Sequence, residues 1–202
     1  SFGKVRLRLS GKGSNKEVLE RELQEEMMAI QQIIGDIIVG LEDGYSIEKR
    51  VGALLNDQKK TLALAESLTG GRIAADIVSV AGASSYFKGG FVTYTAAAKK
   101  DSLGLDQKLL NEFSVVSSQV ASAMAVSARE KLDADYAIAV TGNAGPTTDG
   151  ALRNVGDVFI ALASKSAVIV EEFSFGQPRE KVIMRTVNKA LEILQKELIK
   201  NS

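Results

Sequence analysis

A chain with neither histidine nor cysteine must draw any nucleophile from Ser, Thr, Tyr, Lys or a carboxylate. Those two absences exclude a Ser-His-Asp triad, thiol chemistry, disulfides and metal centres built on imidazole or thiolate. Three segments hold residues suited to the chemistry that is left. Thr61 to Gly71, TLALAESLTGG, runs an apolar strand into Glu66, Ser67, Thr69 and two glycines ahead of a helix. A helix N-terminus offers N–H groups to a phosphate or an oxyanion, and Gly70 and Gly71 permit close backbone approach. Ser67 and Thr69 equally suit plain capping of that helix.

Gly89 to Lys99, GGFVTYTAAAK, puts Tyr94 at the end of an expected strand and Lys99 in a helical turn begun by Thr95. Taken singly, these read as a half-buried tyrosine and a surface lysine. Taken with Ser67 they form a nucleophile-activation set. A lysine kept from water loses basicity and can accept a serine proton, which a neighbouring tyrosine hydroxyl relays or orients. Val140 to Gly156, VTGNAGPTTDGALRNVG, is a glycine-punctuated loop able to cradle a ligand with backbone groups, and Arg153 in it offers a fork for carboxylate or phosphate. A flexible connection is the plainer reading, although loops this long in compact domains are more often functional or disordered. Neither GxxxxGK[ST] nor GxGxxG occurs, so triphosphate and dinucleotide motifs are unsupported.

The elements that must position these residues follow from periodicity. The expected helices are 47–57, 70–79, 117–132 and 178–199, and the expected strands are 61–65, 90–95 and 136–140, with a hairpin of 155–163 and 167–175. Strand–helix alternation with a late hairpin implies a three-layer α/β/α sandwich on a mixed, mostly parallel sheet. Ahead of it, residues 2–10 alternate like a half-buried strand. Ser14 or Asn15 caps a helix to Ile34, stopped by Gly35, and 37–39 reads as a short strand. This small β-α-β unit, with a boundary near residue 43, reads as the remnant of a domain cut at its front.

The whole chain has 202 residues, 45% of them apolar and 25% charged, with 25 basic against 25 acidic side chains. That is an ordinary globular mixture, and zero net charge argues against general nucleic-acid binding. No run approaches the ~18 apolar residues of a membrane helix, and no leader-like start is present, so the cytoplasm is the expected compartment.

Taken in order, AESLTGG (65–71), GASSYFKGGFVTYTAAAK (82–99), LG (103–104), MAVSARE (124–130), ADYAIAVTGNAGP (134–146), VGDVFIALA (155–163) and FGQPRE (175–180) resemble the CinA carboxy-terminal domain. That is the nicotinamide-nucleotide amidohydrolase (PncC) family, and the likeness spans about residues 46–198. The first forty residues resemble the middle domain of the long CinA form, whose molybdopterin-binding-like front domain is missing here. The resemblance implies deamidation of nicotinamide mononucleotide to nicotinic acid mononucleotide and ammonia, with no metal or other cofactor, in a homodimer.

The roles it implies are Ser67 as nucleophile, Tyr94 as assisting hydroxyl and Lys99 as general base. The set expected to contact the nucleotide is Glu66, Thr69, Gly70, Gly71, Thr95, Thr141, Gly142, Ala144, Gly145 and Arg153. The chain departs from the family at Leu68, where Cys is usual, and at Ala96 to Ala98, where a polar run is usual. It departs again after Pro146, with Arg153 at a usual Lys position. These changes bear on affinity and substrate choice, since the three residues assigned to bond cleavage are intact. The alternatives are a non-catalytic nucleotide-binding or assembly module, and an amidohydrolase for another amide.

Overall fold

A computed structural model describes residues 7–34, 46–148 and 153–201, and the chain divides into two units, Ser1–Gly44 and Tyr45–Ser202. In the first unit, α1 (Lys16–Ile34) carries no buried residue. Asn15, not Ser14, caps it, its Oδ1 accepting the N–H groups of Glu17 and Val18 at 3.0 and 3.3 Å. Residues 7–10, the described part of the expected first strand, are irregular and exposed. Among the described residues no strand pairs with them, and alternation by itself marks only a face. The Gly35 stop, the 37–39 strand and the boundary near 43 lie outside the described residues.

The second unit runs α2 (Ile47–Asp57), β1 (Leu62–Glu66), α3 (Arg72–Val78), β2 (Phe87–Val92), α4 (Ala96–Leu103), α5 (Gln107–Phe113), α6 (Ser118–Lys131), β3 (Tyr136–Gly142), β4 (Asp157–Ala163), β5 (Val168–Ser174) and α7 (Arg179–Lys200). The sheet order is β2-β1-β3-β4-β5. β1 pairs parallel with β2 and β3, while β4 is antiparallel to both β3 and β5. Four of the five strands therefore share a direction, and the hairpin β4–β5 makes the sheet mixed.

Period-two alternation sorts the two faces by size. Leu62, Leu64, Tyr136, Ile138, Val158, Ile160 and Leu162 pack with α2, α3 and α7. On the opposite face Ala63, Ala65, Ala137, Ala139, Ala161 and Ala163 meet α6, whose own contact residues include Ala121, Ala125 and Ala128. Small residues on both sides let α6 lie close to the sheet, and the bulk of the large-residue core sits on the other side.

Two elements differ from expectation. β2 spans 87–92 rather than 90–95, because pairing with β1 overrides the low strand preference of its glycines; a Cβ at Gly90 would come within 2.9 Å of the Leu64 Cβ. Tyr94 consequently lies beyond the strand. α3 starts at Arg72 rather than Gly70, because Gly70 and Gly71 take left-handed φ values of 62° and 94°. α5 was not foreseen.

The connections from β1 and β3 leave in opposite directions along the sheet, one toward β2 and the other toward β4. Adjacent strands that diverge in this way open a crevice beyond their carboxyl ends.

Candidate active site

That crevice holds a cavity of about 310 Å³ lined by Ser67 and Leu68 after β1, Tyr94 and Lys99 after β2, and Val115 and Val116 before α6. Thr141 to Gly145 at the end of β3, Thr147, Thr148 and Arg179 complete it. At its inner end the Lys99 Nζ donates to the Ser67 Oγ at 3.0 Å and to the Thr93 carbonyl at 2.8 Å. Lys99 is 1% exposed and Ser67 7%. The lysine is buried because it shares the inward face of α4 with Leu103, four residues on. Thr95 caps that helix, its Oγ1 accepting the Ala98 N–H at 3.1 Å, and so fixes the turn that drives Lys99 inward. A surface lysine is ruled out here.

Tyr94 stands apart from this pair. It is 59% exposed, and its hydroxyl accepts a hydrogen bond from the Arg179 Nη2 at 3.0 Å. The other arm of the same guanidinium donates to the Gly145 carbonyl at 2.7 Å. Arg179 is the first residue of α7, and it ties the loop after β2 to the loop after β3 across the cavity mouth. Sequence reading overlooked it, although Pro178, a residue that favours helix starts, marks where the long helix begins.

Several residues expected to contact substrate do not line the cavity. The Glu66 carboxylate, 1% exposed, is enclosed by its own chain. Its Oε2 accepts from the Thr69 Oγ1 at 2.6 Å and from the Gly71 and Ile73 N–H groups at 3.0 and 3.1 Å, and its Oε1 accepts from the Ala74 N–H at 2.8 Å. The left-handed glycines bend the turn around that carboxylate. The anion received at the start of α3 is thus Glu66 itself, which occupies the Thr69 hydroxyl and the Gly71 N–H, and the Gly70 N–H donates to the Ser67 carbonyl at 3.1 Å. Thr95 is spent on capping. Arg153 pairs with Glu172 at 2.7 Å and lies over the Phe159 ring at 4.7 Å, because Glu172 sits opposite Phe159 in the β4–β5 ladder.

Thr141, Gly142, Ala144 and Gly145 do line the cavity, and the Thr141 Oγ1 donates to the Val115 carbonyl at 2.7 Å, holding the α5–α6 connection against the end of β3. Leu68 is buried at the cavity wall, whereas Ala96 and Ala97 are exposed on α4 away from it. Among the described residues, no group of three or more His, Cys, Asp or Glu is placed to hold a metal ion. No described helix is long and apolar enough to cross a membrane.

Residues 44–198 match the CinA C-terminal domain. The chain belongs to the CinA family. It is 50% identical over 201 residues to a CinA-like protein of Flavobacterium psychrophilum, covering all of this chain and 48% of that one. A CinA-like protein of Geotalea daltonii is 42% identical over 193 residues, covering 91% of this chain and 47% of that protein. The chain therefore spans about half the length of these relatives.

Two solved structures are similar to the CinA domain. A CinA superfamily protein of Escherichia coli aligns with a TM-score of 0.72 at 34% identity, covering 80% of this chain and 96% of its own. A competence/damage inducible protein of Agrobacterium tumefaciens aligns with a TM-score of 0.70 at 38% identity, covering 75% of this chain and 94% of its own.

Proposed function

We propose that this CinA domain is a serine amidohydrolase that converts nicotinamide mononucleotide and water to nicotinic acid mononucleotide and ammonia. The observation that carries the reading is the 3.0 Å hydrogen bond between a buried lysine amine and a serine hydroxyl facing one cavity. That is a nucleophile with its base in place, in a chain that has no imidazole. The Lys99 amine, bonded to the Ser67 hydroxyl and held by the Thr93 carbonyl, is assigned the role of base toward that hydroxyl.

Ser67 Oγ attacks the carboxamide carbon, its proton passing to Lys99 Nζ. The ring's positive charge draws electrons from the carbonyl and favours attack. The tetrahedral intermediate collapses as Lys99 returns that proton to the nitrogen, releasing ammonia and leaving an acyl ester on Ser67. Water, deprotonated by Lys99, then cleaves the ester, restoring the serine hydroxyl and freeing the acid. With the Thr69 hydroxyl and the Gly71 N–H committed to Glu66, the main-chain N–H groups of Leu68 and Thr69, which follow the nucleophile and donate to none of the described groups, are the amides assigned to the developing oxyanion. Arg179 at the cavity mouth has the charge and fork to take the substrate phosphate.

Ammonia release from nicotinamide mononucleotide tests the proposal. The wild-type chain is expected to turn over and Ser67→Ala to be inactive. Full activity in Ser67→Ala would sink the covalent route. Nucleotide binding without turnover by the wild type would make the domain a binding module instead, and turnover of a different amide would keep the chemistry but change the substrate.

A further inference from the structure

The turn that carries Ser67 is built around a carboxylate that does not line the cavity. Glu66 immediately precedes the serine, ends β1, and sends its side chain not to the cavity but back into the start of α3, where one hydroxyl and three backbone N–H groups donate to it. A carboxylate buried to this degree is tolerated because its acceptor sites are met by oriented donors and because the helix dipole favours an anion at that end. The main chain of the same residue reaches the other half of the pair. The Glu66 carbonyl accepts the Thr93 N–H at 2.8 Å, and the Thr93 carbonyl in turn accepts from Lys99. One residue thereby ties down both the serine turn and the peptide that holds the lysine.

We infer that Glu66 is a positioning residue for the Ser67–Lys99 pair: its buried carboxylate serves as the internal anion that sets the Glu66–Gly71 turn and, through it, the reach of Ser67 Oγ to Lys99. The inference rests on the proposed role of Ser67 as nucleophile. It separates the charge at Glu66 from substrate binding and makes it a determinant of nucleophile geometry. Two arrangements were open to this sequence: an anion-binding turn facing substrate, or a turn already filled from within. The four bonds select the second. In Glu66→Gln one oxygen becomes an N–H2 group pointed at existing donors, so the turn must shift, and sub-ångström shifts of a nucleophile are costly to rate.

The test uses the rate at which a small organophosphorus fluoridate adds to Ser67, read by intact mass, beside kcat and KM for amide hydrolysis. Glu66→Gln is expected to slow labelling and kcat together, on the order of 10- to 100-fold, with KM nearly unchanged. Thr69→Val, which removes one of the four bonds, is expected to slow labelling by about threefold, and Thr69→Ser to restore it. If Glu66→Gln does not fold, the Thr69 pair decides. Labelling at the wild-type rate in a folded Glu66→Gln or in Thr69→Val overturns the inference, since a merely structural role would lower the melting temperature without changing the reactivity of the folded protein. A wild-type chain that takes no label at Ser67 overturns the nucleophile reading itself, which is a different result.

Discussion

The inner end and the mouth of the cavity are built on opposite principles. At the inner end, Ser67 and Lys99 are buried, bonded to each other and anchored to the ends of β1 and β2 by main-chain groups. At the mouth, Tyr94 and Arg179 are bonded to each other on a partly solvated rim, and Arg179 reaches there from the start of α7. Buried polar groups in a packed core hold one geometry because any other leaves them unsatisfied. Rim groups exchange partners with water at little cost. The inner pair is therefore suited to chemistry and the outer pair to admitting and holding what reacts, and variants at the two places should fail in different ways.

The largest expected effect is at the inner end. Lys99→Met should lower kcat by on the order of 10³-fold or more while the melting temperature stays level or rises, because an apolar side chain of similar length suits that site better than an amine does. Turnover kinetics and a thermal melt check both halves. A folded and active Lys99→Met would erase the distinction between the two ends.

At the rim, Arg179→Ala should raise KM for a phosphorylated substrate by about tenfold or more with kcat little changed, the size expected for losing a charge-assisted hydrogen bond. Tyr94→Phe should cost less, about threefold, since its hydroxyl meets Arg179 and not Ser67 or Lys99. If steady-state kinetics instead showed Tyr94→Phe as damaging as Lys99→Met, the tyrosine would have to swing inward with substrate, and the division would need redrawing.

The smallest effect lies at the other end of the inner strands, where Thr61 and Asp135 precede β1 and β3. Burial works to raise the Asp135 carboxyl, but the Thr61 hydroxyl and amide, with Lys60 and Lys165 beside it, hold it below its ordinary value. A carboxylate held low adds stability that is present above its unfolded-state value and is lost as pH falls through the folded one. Acid melts of Asp135→Asn should thus lie lower than wild type at neutral pH and converge with it only as pH falls from the ordinary value of 3.8 through the lower folded one, while kcat and KM stay unchanged. A variant that altered catalysis would contradict the separation of site and scaffold.

The sequence by itself determined more of the frame than of the site. Apolar runs at 61–65 and 136–140 were enough to place buried strands, and the missing histidine and cysteine left Ser, Thr, Tyr, Lys or a carboxylate for any nucleophile. The same reading assigned the wrong ligand to a correctly noticed turn. A strand followed by Ser, Thr and two glycines announces an anion site, yet only the folded chain brings the Glu66 side chain back onto the Thr69 hydroxyl and the Gly71, Ile73 and Ala74 amides and so fills that site from within.

The two arginines make the same point. Ladder register, a matter of tertiary pairing, gives Arg153 of the 140–156 loop to Glu172, whereas Arg179, unmarked in the sequence as a site residue, reaches the mouth from the start of α7. Periodicity reports which faces are apolar because burial is a property of a residue and its near neighbours. Where the partners are far apart in the chain, as Arg179 and Tyr94 are, which polar group meets which depends on where distant segments come to rest, and no local pattern encodes that.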